Sequence, residues 1–306
     1  MALVSASDIT HSLIPETTPG VTPTTTATRH LLPLGPDATP LKGTFEVIDS
    51  PTKMPNRSSN GSRRGTKTVE GSLDIRFMRA AFMDVLLQSG LSGTYATNVL
   101  KAGTTDSYFS IISSYQGGAA GSQMHEAFAG VTVKGFSITT KALEGVTTTF
   151  DLMGMDFAEL TTDNPLAVTG PGAVTEFKFD ELAAITVAGQ TLKVAELSFE
   201  TSLDRTRRHI LTSATGLQFG VNGTRTTTVT IKAFREDFVS NTAITGNAQA
   251  VSFDIGGVGT GYRFQLPAAY GDRPASEVSD GSLFQTITFK AGYDATAATD
   301  LVVTRL

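Results

Sequence analysis

The chain has no cysteine and no tryptophan. Without Cys there are no disulfides, no thiolate metal sites and no Cys nucleophile. Without Trp the usual stacking platform of a sugar-binding cleft is missing. No apolar run approaches the roughly 18 residues of a spanning helix, so none is expected. The N-terminal MALVSASDITHSLIPETT has neither a basic stretch nor a compact apolar one, and does not read as a signal peptide. The four histidines, His11, His30, His125 and His209, share no metal-ligand spacing. No G-x-S-x-G nucleophile elbow occurs. GGVGTGY (256–262) runs into a strand pattern rather than a helix, so it reads as a hairpin turn and not a phosphate loop. Glu176, Asp180 and Glu181 could imitate a glycosidase pair but read as solvated acids. Charge is also sparse, at 17% Asp, Glu, Lys and Arg, and the net of −5 argues against a protein that grips DNA phosphates. These absences predict no enzyme, no metal and no cofactor.

What is present points to strands. Ser and Thr recur throughout, and Thr suits a pleated surface because of its branched Cβ. The 30 Gly and 12 Pro mark many turns in the 306 residues. Residues 1–40 are dense in Pro and Thr and read as an extended arm. TFEVID (44–49) alternates as a strand, and SPTKMPNRSSNGSRRG (50–65) reads as a polar loop. In GTKTVEGSLDIRFMRAAFMDVLL (65–87) the apolar period changes from alternate positions (Val69, Leu73, Ile75, Phe77) to helical spacing (Met78, Phe82, Val85). That is a strand running directly into a short helix, whose apolar side is expected to cover the outside of a sandwich. SYFSIISSY (107–115) reads as a strand, and 130–140 with 145–156 as a hairpin. Val131 and Val133 sit on one parity, Phe136 and Ile138 on the other, which predicts a bulge beside Gly135.

After a turn-rich linker the second half repeats this order. KVAELSFETSLD (193–204) alternates; RTRRH (205–209) opens a basic loop that runs to residue 224. GTRTTTVTIKAF (223–234) matches GTKTVEGSLDIRF, and REDFVSNTAI (235–244) stands where the helix was. Three strands follow, ending at Gly292-Tyr293-Asp294 as the first half ends at Gly154-Met155-Asp156. Phe45 and Phe199 lie 154 apart, Gly65 and Gly223 158, and Phe82 and Phe238 156. This predicts a duplication: residues 1–40 an arm and start of the first module, 41–160 the first module, 161–178 a linker and 179–306 the second module.

Both expected loops are basic, carrying Arg57, Arg63 and Arg64 in one and Arg205, Arg207 and Arg208 in the other. The flanking strands place Glu46, Glu70, Asp74, Glu200 and Asp204 out of phase with the core residues. Asn60-Gly61-Ser62 and Asn222-Gly223-Thr224 match sequons but read as tight turns. Basic tips and acidic faces can attract the next copy head to tail, a contact that stacks without closing.

The ordered features resemble the tail tube (major tail) proteins of long-tailed bacteriophages. RRGTKTVEGSLDIRFMRAAFMDVLLQSGLSG is similar to that family's strand-to-helix segment, EAFAGVTVKGFSITTKALEGVTTTFDLMGMD to its hairpin, and FKAGYDATAATDLVVTRL to its C-terminal end. The resemblance implies a mainly β fold of duplicated sandwich or barrel modules, each with a short flanking helix. It implies side-by-side subunits whose inner strands make one barrel, and rings that stack through the long loop and terminal arms. The six arginines are then inter-ring candidates, and Glu46, Glu70, Asp74 and Glu200 candidates for the lumen. Two modules per chain imply trimeric rings with pseudo-sixfold symmetry, a hexamer being the alternative. Implied partners are further copies, tape-measure, tail terminator and baseplate proteins, and double-stranded DNA in transit without specific binding. The implied place is the virion of a non-contractile phage, after assembly in the host cytoplasm, with no membrane. The competing expectation is a carbohydrate-binding or adhesin-type β-sandwich of a virion or pilus.

Overall fold

A computed structural model describes residues 8–35, 38–52, 54, 61–115, 124–172, 176–182, 185–209, 217–235, 247–272, 274–279 and 281–306. Alternating apolar residues make strands here as expected, and the fold is mainly β with one α-helix among the described residues. In the first half the elements are β1 (Ile9–Pro15), β2 (Arg29–Leu32), β3 (Lys42–Asp49), β4 (Ser62–Arg76) and α1 (Ala81–Leu91). They continue with β5 (Tyr95–Ala96), β6 (Val99–Lys101), β7 (Phe109–Tyr115), β8 (Met124–Lys141), β9 (Thr147–Gly154) and β10 (Asp156–Leu160). After β11 (Val168–Thr169) come β12 (Ile185–Val187), β13 (Gln190–Leu192), β14 (Val194–His209) and β15 (Leu217–Phe234). The chain ends with β16 (Gln249–Ile255), β17 (Tyr262–Gly271), β18 (Ala275–Ser279), β19 (Ser282–Gly292) and β20 (Val302–Arg305).

One antiparallel layer runs β3–β4–β9–β8–β14–β15–β19–β18. We call it the wall. Behind it stand two smaller sheets, β2–β1–β7–β8–β10 and β13–β12–β16–β17–β20, the latter extended by β6 and β5. β8 serves both layers by changing register between Val133 and Gly135, the bulge expected from the phase slip. GGVGTGY is the turn of the β16–β17 hairpin.

The core lies between the layers and runs without a break along the wall. Phe150 meets Phe136 at 5.4 Å, Phe136 meets Phe199 at 5.6 Å, and Phe199 meets Phe264 at 5.4 Å. This aromatic line crosses the β8–β14 junction. α1 differs from expectation in start and position: Met78 precedes it, and the helix lies against β8, β14 and β2 inside the layers rather than outside them. Phe82, Met83, Leu86, Leu87 and Leu91 are buried, and Gly90 lets it approach Phe136, where a Cβ would stand 2.9 Å from the ring. A helix hydrophobic over that much of its surface belongs in a core. Its Asp84 accepts from the Tyr262 hydroxyl at 2.8 Å and pairs with Arg305 at 3.0 Å, tying it to the second half. The second helix expected at 235–244 lies, after Arg235, outside the described residues.

The side of the first back sheet turned away from the main core is also covered, and it holds a buried cation. Arg29 donates to Ser12 at 2.8 Å and pairs with Asp163 at 2.9 Å. Burial alone would raise the Asp163 pKa, but the Arg29 guanidinium outweighs it and holds the carboxyl below the usual carboxylate range.

Candidate assembly surface

The wall buries one face and leaves the other open. Facing partners fix which residues share the open face: Asp74, Thr149, Ser137, Glu200, Thr228 and Lys290 stand in one row across six strands. Glu46, Glu70, Asp74 and Glu200 are all exposed and all on this face. Strand parity brings them together because every strand pairs face to face with the next. Hydroxyl pairs run between the strands, Thr44 to Thr68 at 2.6 Å, Thr139 to Thr147 at 2.9 Å and Thr230 to Thr288 at 3.2 Å. Sequence reasoning reserved Lys and Arg for loop tips, yet Lys42, Arg76, Lys141, Lys232 and Lys290 share this face. The Lys141–Glu196 pair spans the β8–β14 junction at 3.5 Å. The open face is hydroxyl-rich and mixed in sign, not acidic.

At one end of the wall two hairpins project side by side, β3 with the first part of β4, and the distal parts of β14 and β15. The expected loops are therefore shorter than the sequence suggested: residues 62–65 and 205–209 are strand. This relocates the arginines. Arg63 and Arg64 are exposed on β4, opposite Ile48 and Val47, with the Arg64 guanidinium 4.8 Å above the Phe45 ring. Arg208 is exposed on β14. Arg57 lies outside the described residues.

Arg205 is a correction. Its side chain is 0% exposed, pairs with Asp106 at 2.8 Å and donates to Ser92 Oγ at 2.7 Å and to the Ser89 carbonyl at 3.3 Å. Alternation carried past Leu203 points Arg205 inward, and a charge can stay there only when paired. Arg207 is half-buried and joins the two hairpins, donating to the Val69 carbonyl and pairing with Glu70 at 3.4 Å. Both are committed within the chain. Asp106, Ser92 and Glu70 as arginine partners escaped the sequence reading, since each is far away in the chain.

The two ends of the wall strand order carry free edges. Among the described residues β3 pairs only with β4, and β18 only with β19. Exposed apolar side chains gather there, Val47 and Ile48 on β3 and Val278 on β18. Glu176, Asp180 and Glu181 are all exposed, and no cluster of metal-ligating groups occurs among the described residues. No described helix is long and apolar enough to cross a membrane.

No curated protein matches the chain. A family model described as phage tail tube protein matches residues 6–291, nearly the whole length. With that match over nearly its whole length, the chain belongs to the phage tail tube protein family, whose members assemble with further copies in the phage tail.

Proposed function

We propose that this protein stacks as rings into the tube of a phage tail and conducts double-stranded DNA to the host, with no catalytic role. The observation that carries the reading is the wall: eight antiparallel strands, one face buried, the other hydroxyl-rich, and edges at both ends of the order with no partner strand among the described residues. Unpaired edges invite strand addition by another copy. A face dominated by Thr and Ser, with both signs of charge, offers DNA phosphates no continuous basic track to adhere to.

The proposal includes two equivalent modules in each chain, and the pairing supports it. β2–β1–β7–β8–β10 and β13–β12–β16–β17–β20 follow the same order, as do β3–β4–β9–β8 and β14–β15–β19–β18. The register breaks coincide as well. The break between Phe45 and Val47 has its counterpart 158 residues on, between Leu203 and Arg205. On that alignment Phe45 is level with Leu203, and Phe199 with Leu41. On this reading the first module takes in β1 and β2 and so starts near residue 9 rather than 41, the second keeps 179–306, and one core joins the halves.

Three copies would supply twenty-four wall strands. At about 4.8 Å between strands and a tilt of roughly 40°, that closes at a backbone radius of about 25 Å, wide enough for a DNA duplex. Six copies would give about 50 Å. The trimer is the ring we favour, with tape-measure, terminator and baseplate proteins as its other partners.

The projecting hairpins are placed to meet the next ring, with Arg63, Arg64 and Arg208 as the contact candidates. Reversing Arg63 and Arg64 to Glu should weaken ring stacking at least about tenfold, seen as shortened tubes by negative-stain microscopy. Monomer stability should stay within about 0.5 kcal/mol, because both side chains are exposed. Unchanged tube lengths would remove that hairpin from the ring interface.

A further inference from the structure

The junction between β8 and β14 inside one chain gives the register of the junction between chains; this rests on the tube reading above. Within the chain, Lys141–Gly135 of β8 pairs with Glu196–Ser202 of β14. Two register landmarks fix the equivalent residues of the other half. The β3 break lies 158 residues before the β14 break. The pair Val133–Leu152, last before the β8 bulge, corresponds to Gly271–Phe289, last before β17 gives way to β18. Carrying the β8–β14 pairs across by these two landmarks places β18 against the segment leading into β3.

In the isolated chain that segment is incomplete. Among the described residues β3 covers β4 only as far as Glu70, and Gly71–Arg76 pair on one side alone, with β9. The corresponding part of β15 is covered by the first half of β14. Along this part of β4 runs a groove of about 690 Å³ lined by Leu34 and Gly35, by Asp74, Ile75 and Arg76, and by the β9 residues paired with them. Residues 38–41 turn away from it: the Pro40 carbonyl passes so close over Gly71 that a Cβ there would meet it at 2.2 Å.

We propose that β18 of one copy pairs antiparallel with residues 38–43 of the next, Ala275 opposite Lys42 and Glu277 opposite Pro40, and that this draws residues 38–41 onto the bare edge of β4. Lys42 then stands diagonal to Glu277, an opposite-charge neighbour on the open face. Val278, 74% exposed in the single chain, is covered beside Thr39. Pro40 and Pro274 lie in the two joining segments. Each lacks an N–H, which weakens pairing with stray strands and guards both edges until the matching copy arrives.

The absence of native cysteine makes this directly testable. Lys42→Cys with Ala275→Cys, assembled under reducing conditions and then oxidised, should give covalent dimers and trimers and nothing larger. Glu200→Cys with Ser137→Cys, the in-chain counterpart, should close within one chain and report that oxidation worked. Thr44→Cys with Ala275→Cys, two residues out of register, should give about a tenth of the yield or less, because the Cβ atoms stand beyond disulfide reach. If the first pair disrupts assembly, Pro40→Cys with Glu277→Cys samples the same face two residues along and should give the same ladder. Tubes in which the in-chain pair closes but neither seam pair does would overturn the register and leave the tube reading intact. Failure of the wild-type chain to form rings or tubes would overturn both.

Discussion

Asp106→Ala should destabilise the folded chain by about 3 kcal/mol or more, although Asp106 is partly exposed, because it strands a guanidinium that has no access to water. The Arg205 side chain is 0% exposed, and Asp106, at 28%, is its only carboxylate partner among the described residues, 2.8 Å away. Removing the carboxylate leaves Arg205 with Ser92 Oγ and the Ser89 carbonyl, two neutral acceptors for a buried charge. Arg205→Met should cost less, within about 2 kcal/mol, since the orphaned Asp106 can turn to solvent and the methionine fills apolar space. The order is the test. Urea denaturation should show Asp106→Ala as the weaker of the two, and the reverse order would mean that Arg205 is better solvated than its position allows.

Phe199→Ala should cost about 3–5 kcal/mol, the usual range for emptying an aromatic site in a closed core. Phe199 is fully buried and touches Phe136 across the β8–β14 junction, at 5.6 Å, as well as Phe253 and Phe264 on the back sheet, at 5.8 and 5.4 Å. Its position gives the loss a second signature. One core spans both halves, so the variant should still unfold in a single calorimetric transition, shifted to lower temperature. Two separate transitions in the wild-type chain would show that each half holds its own core and that the junction is only a contact.

Much of this was legible in the sequence where alternation was uninterrupted. The parity of Val69, Leu73 and Ile75 set their side of β4, and with it the open-face positions of Glu70 and Asp74. The slip around Gly135 marked the residue where β8 passes from one layer to the other. Reading stopped where chemistry overrode pattern. RTRRH looked like a loop because arginines seldom point inward, yet the alternation of β14 continues through it, and what permits a buried Arg205 is an acid 99 residues earlier. The place of α1 was equally hidden. Its helical spacing was visible, but its burial depends on β14 and on Tyr262 and Arg305, all from the other half. The bare edge of β4 left no mark in the sequence, because the turn of residues 38–41 away from the wall follows from tertiary packing over Gly71.

The account stands on neighbouring chains completing one another's wall, and a helical reconstruction of assembled tubes by electron cryomicroscopy tests it most directly. It should show three chains in each ring and one unbroken antiparallel sheet around the channel, with β18 of every copy hydrogen-bonded beside β3 of the next. Rings of six chains, or subunits whose wall edges stay unpaired while other surfaces hold the tube together, would contradict it.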